Sequence, residues 1–105
     1  MRKMEVTLVQ DGEKKTYFSP DFISGRMMRR AMEIRKEMDL SFLGPEELDE
    51  VVDYLCEVFG NQFTRDQVYD GLDLDDLDTF IRDTLLDILY PKRKRDEENA
   101  DDKKK

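Results

Sequence analysis

The chain contains no histidine. That removes the commonest general base, the commonest zinc ligand and every Ser-His or Cys-His nucleophile pair. It has one cysteine, Cys56, so no internal disulfide can form and a stapled secreted scaffold is excluded. Cys56 lies between Leu55 and Glu57 with nothing basic beside it in sequence to lower its pKa, and reads as a small, partly buried apolar side chain. The five glycines are scattered singly, so no glycine-rich loop can cradle a phosphate. No run approaches the roughly 18 apolar residues of a membrane span. The opening MRKMEVTLVQ has no apolar stretch long enough for a secretory signal. A chain of 105 residues fits one domain of average size and not two. These absences point away from an enzyme, and no metal or cofactor is expected.

Basic residues are scarce in the middle of the chain. Residues 1–36 hold nine basic and five acidic groups, residues 37–89 hold two basic (Arg65 and Arg82) and sixteen acidic, and residues 91–105 hold seven basic and five acidic. The three segments carry about +4, −14 and +2, which sum to the net −8. A strongly acidic body repels phosphate, so general nucleic-acid binding is not expected. The acidic excess can serve solubility alone. A basic first third beside an acidic body can also pair with another copy head to tail, giving rings or open spirals.

What is present is a short β segment followed by helical patterning. Met4 to Gln10 alternates imperfectly and is rich in β-branched residues, and Lys15 to Phe18 reads as its returning partner. Asp11-Gly12 between them is a hairpin dipeptide. A lone hairpin is marginal in water, so it must pack on the helices. Ser19-Pro20-Asp21 breaks the strand. Ser24 can cap a helix from about Gly25 to Met38 whose apolar positions are Met27, Met28, Ala31, Ile34 and Met38. Gly44-Pro45 opens a second helix, with Glu46 and Glu47 in its first turn and an apolar stripe of Leu48, Val51, Val52, Leu55, Val58 and Phe59. Gly60 stops it. Thr64 and Gln67 match a capping box and open a short helix to about Asp70. Asp73 or Asp75 caps a last helix to about Leu89, with Leu74, Leu77, Ile81, Leu85, Ile88 and Leu89 as its core face, and Pro91 ends it. From Lys92 the sequence KRKRDEENADDKKK has almost no apolar residue and is expected to be disordered. The fold class is therefore α+β, mainly α: a hairpin packed on three to four helices in one domain over residues 1–90, followed by a charged tail over 91–105.

Two motifs fail on inspection. The run Asp70 to Asp78 (DGLDLDDLD) is not a calcium loop, because glycine falls second and leucine third, and its aspartates read as helix N-terminal charge. The helices around Gly60-Asn61-Gln62 make a poor DNA-reading pair, because the second is short and lies in the −14 segment. The methionines Met27, Met28, Met32 and Met38 crowd one helix. Most can pack in a core; alternatively they form a tolerant apolar strip for another chain.

The hairpin, SGRMMRRAMEIRKEM (24–38) and ELDEVVDYLCEVFGNQFTRDQVYDGL (47–72) follow in that order, and over residues 4–89 the chain resembles the phage tail assembly chaperones of long non-contractile-tailed (siphovirus) phages of Gram-positive hosts. The most specific part is VFGNQFTRDQVYDGL (58–72), with its helix stop, capping box and aromatic pair. The resemblance implies a binding protein without enzymatic activity. It implies binding to the tape measure protein, whose apolar helical segments are kept soluble in the host cytoplasm until tail tube subunits polymerise around it. It also implies absence from the finished virion, and a longer form, made by programmed ribosomal frameshift, that recruits the tail tube protein. Lys103-Lys104-Lys105 is compatible with an adenine-rich slippery site or is a plain solvated terminus. The expected contact residues are Met27, Met28 and Met32 on the first long helix and Phe63 and Tyr69 around the short one, although the last two can equally be core. The alternative reading is an acidic regulator, a DNA mimic or inhibitor of a basic partner, motivated by the −14 segment.

Overall fold

The computed structural model describes residues 4–91; the expectation made for the tail from Lys92 lies outside the described residues. Strands β1 (Glu5–Gln10) and β2 (Glu13–Phe18) are followed by helices α1 (Gly25–Glu37), α2 (Pro45–Val58), α3 (Arg65–Gly71) and α4 (Leu74–Leu89). The expected mainly helical α+β architecture is the one observed.

Asp11 and Gly12 both take positive φ, 54° and 79°, as a two-residue turn that matches the strand twist requires. The turn sets an antiparallel register from Gln10↔Glu13 to Glu5↔Phe18. β2 therefore begins two residues earlier than the sequence pattern indicates, because the turn dictates pairing up to its own edge. Met4, Val6 and Leu8 point inward while Glu5, Thr7 and Val9 face out. β2 buries only Tyr17 and leaves Lys14 and Lys15 exposed, charges that discourage edge-to-edge pairing. Beyond the last paired residues, Ser19 N donates to Met4 O (2.8 Å) and its Oγ accepts from Met4 N (2.9 Å), closing the open end of the hairpin.

Local chemistry sets the helix ends. Ser24 sits at the N-cap of α1 with extended backbone, but its side chain makes no capping bond. The Glu47 carboxylate accepts from Gly44 N (2.9 Å) at the start of α2. At the other end Gly60 N donates to Glu57 O (2.9 Å) and Asn61 N to Cys56 O (2.8 Å), a Schellman stop with Gly60 at φ 75°. Thr64 and Gln67 satisfy each other's backbone N–H groups, as a capping box does. Of the two candidate caps for α4, Asp73 is the one used, its Oδ1 accepting from Asp76 N at 2.8 Å.

Helix α3 lies directly on β1. A chain of rings then carries the core across the molecule: Tyr17 meets Phe63 edge-on at 4.9 Å between centroids, Phe63 lies 5.5 Å from Phe59, and Phe59 meets Phe80 at 5.8 Å. Val51, Val52, Leu55, Val58 and Phe59 of the α2 stripe are buried at the centre, while Leu48 at its start is half-buried. Helix α1 lies against α4 and contributes Ala31 and Ile34 to the core. The Tyr54 hydroxyl on α2 donates to Met27 O, tying α2 to the first turn of α1. One expected core residue is not in the core: Leu74 is 88% exposed, while Phe80 and Thr84 are buried instead. Periodicity assigns a residue to a helical face, but it does not say how far along that face a neighbouring element reaches.

Candidate functional site

The five sequence-selected contact residues occupy three environments. Met32 is 44% exposed on α1. Met27 and Met28 are half-buried and pack against the core cluster, as does Met38. Phe63 is interior, wedged between Tyr17 and Phe59. Tyr69 is half-buried, and its hydroxyl donates to Asp49 Oδ1 at 2.5 Å. The same carboxylate lies 3.9 Å from Arg65 Nε, and Arg65 Nη1 donates to Asp53 at 2.9 Å, so Tyr69 belongs to a polar tie between α3 and α2. Burial, then its bond to the Asp49 side chain, push the Tyr69 phenol well above its ordinary range, which keeps it a neutral donor. Since Phe63 is interior, no single exposed face contains all five.

Near Met27 the surface is a shallow hollow of about 250 Å³ shared with Arg26, Arg29, Arg30, Glu33 and Glu57. It is a polar environment, and Arg29 is already paired with Glu33 one turn along. A second hollow of about 470 Å³ lies between β1 and one face of α4, bordered by the carboxylates of Glu5, Asp76, Asp83 and Asp87.

The apolar concavity is elsewhere. A groove of about 470 Å³ runs along another face of α4, between it, the end of α1 and the connection from α1 to α2. Leu77, Ile81, Leu85 and Leu89 form the α4 side, and Leu40, Leu43 and Leu48 form the other. Leu74 and Leu86, at 88% and 48% exposure, stand at the surface of this groove. The connecting segment is not a loose loop. Asp39 accepts from Ser41 N through its side chain (3.0 Å) and from Phe42 N through its carbonyl (2.9 Å), and Phe42 is left 83% exposed.

The charged rim of the groove is sparse. Arg82 Nε donates to both oxygens of Asp78 at 3.0 Å. Arg35 donates to the Tyr90 hydroxyl and lies 5.8 Å above the Tyr90 ring. An apolar trough with a few charges on its rim is the geometry that receives an amphipathic helix. Cys56 is buried, and burial followed by the nearby Asp53 pushes its thiol up to about 11, so it is neither thiolate nor nucleophile at neutral pH.

Sequence reasoning missed this groove. Its signals were the segment Asp39 to Leu43, with three large apolar side chains in five residues, and the breadth of the α4 apolar arc, which includes Phe80 and Leu86 besides the expected stripe. A family model described as "Phage tail chaperone protein" matches residues 1–105. No curated protein and no solved structure matches the chain.

Proposed function

The chain belongs to the phage tail chaperone family, and from that premise we propose that it binds the tape measure protein during tail assembly and keeps its apolar helical segments soluble. A tape measure is a long helical chain with exposed apolar faces, and such a chain aggregates when left uncovered. The observation that supports this reading is the leucine-lined groove along α4, an apolar surface on a protein otherwise 42% charged. A net charge of −8 on the chaperone keeps the complex in solution. Binding here needs no chemistry, in keeping with the family's assembly role.

We propose the finer parts of the reading on the sequence resemblance. The protein works in the cytoplasm of a Gram-positive host infected by a siphovirus and leaves before the virion is finished. A longer frameshifted form recruits the tail tube protein, and copies on one tape measure associate head to tail.

The direct test is co-purification of the full chain with overlapping fragments of the tape measure protein encoded in the same phage genome. Fragments carrying amphipathic helices should bind and stay soluble. Failure of a verified folded chain to bind or solubilise any fragment overturns the proposal.

A further inference from the structure

We propose that the α4 groove is a docking site for an amphipathic helix of about four turns whose apolar stripe is bordered by carboxylates. This rests on the chaperone reading above and adds the chemistry of the bound segment.

Length and shape come from α4. Its 16 residues extend about 24 Å at 1.5 Å per residue. The leucine row from Leu74 through Leu77 and Leu85 to Leu89 lines the groove along that length. A straight row of this kind accepts the ridge of a second helix of similar length. Residues 92–105 do not offer such a stripe, because they carry a single apolar side chain, Ala100. Nothing in that composition supplies an apolar stripe.

Charge decides what borders the stripe. Residues 37–89 contain two guanidiniums. Arg65 is taken up by Asp49 and Asp53, away from the groove. Arg82 sits on the groove rim and uses only Nε on Asp78, so its two terminal nitrogens have no partner among the described residues. Arg35, on the same rim, uses Nη1 on Tyr90. Asp78 is the only carboxylate lining the groove among the described residues, so their rim carries two positive charges and one negative. A guanidinium with open donors is matched by a carboxylate, which it can grip through two hydrogen bonds. The acidic body repels any anionic partner at long range, but at about 0.15 M salt that field is screened within roughly 8 Å, and contacts at the rim decide.

The test uses the full chain and three synthetic 16-residue helices with one leucine stripe. One is flanked by Glu, one by Lys, and one has the Glu composition scrambled. Binding is read by fluorescence anisotropy at physiological salt. The Glu-flanked helix should bind more tightly than the Lys-flanked one, and the scrambled helix should not bind. The Arg35→Gln/Arg82→Gln double variant should weaken the Glu-flanked helix about three- to tenfold and erase the preference. Leu74→Glu/Leu86→Glu changes two exposed positions, so the fold should survive, as circular dichroism will show, while helix binding is lost. Preference for the Lys-flanked helix, binding indifferent to Leu74→Glu/Leu86→Glu, or no binding to any helix overturns the proposal. The same leucine variant separates this proposal from the one it rests on. Tape measure fragments still bound by it leave the chaperone reading intact and move the site elsewhere. Synthetic helices bound by a chain that takes no tape measure fragment leave the groove intact and remove the tape measure as its ligand.

Discussion

Gly71 touches β1 so closely that a side chain has no room there: a Cβ at this position would lie 3.0 Å from the Leu8 Cβ and 3.1 Å from the Val9 carbonyl oxygen. Gly71 ends α3, and Leu8 is fully buried on β1, so this contact is where the hairpin seats on the helices. The near atoms are strand backbone and the Cβ of a buried residue, and neither yields easily.

Gly71→Ala should therefore destabilise the fold by about 1–3 kcal/mol, the usual range for forcing a methyl group into a packed site. Urea unfolding measures it. An unchanged midpoint would mean that α3 lifts off β1 at no cost, and that the hairpin is not held by this contact.

Phe63 and Met32, both candidate contact residues in the sequence, should separate by their effect on stability. Phe63→Ala removes the middle ring of the chain from Tyr17 to Phe80 and should cost about 3–5 kcal/mol. Met32→Ala, at an exposed site, should change stability by less than about 0.5 kcal/mol. Thermal unfolding of the two variants checks both. Equal effects would contradict the burial difference.

Cys56 should make the fold sensitive to alkali. In the folded chain its thiol titrates at about 11, above the ordinary 9.0, because burial penalises the thiolate. Between those values the unfolded ensemble releases a proton that the folded protein keeps, so the contribution is complete below pH 9 and declines as pH rises toward 11. Cys56→Ala should flatten the fall of the unfolding free energy over pH 9–11. A thiol reagent at pH 8 should react slowly with folded wild type and fast in denaturant. Rapid labelling of the folded chain would show that the thiol is not buried.

Most of the backbone was legible from sequence because its signals are local. Asp11-Gly12, Gly60, Thr64 with Gln67, and Asp73 each fix a turn or helix end through bonds within a few residues, and each acts in the structure at its expected place. Ser24 is the exception, with its position right but its side-chain bond not formed. The groove was not legible because exposure is decided by what fails to cover a face. Leu74 and Leu77 share a periodicity, yet only Leu77 packs against the core. The methionines of α1 drew notice through composition, but Met27 and Met28 are held partly inside by the core beneath them. An apolar connection, Leu40 to Leu43, carries no periodic signal at all, and it forms one wall of the groove.

Tyr90 fastens the end of α4 to Arg35 on α1, and it lines the groove. The exit point of the polypeptide is thereby fixed beside whatever the trough holds. If the groove holds the proposed helix, a module appended to the chain would be tethered to that cargo, at an effective concentration set by the length of the linker between them. Under that reading, one anchored tyrosine would help bring two separate clients together without any contact between the modules that hold them.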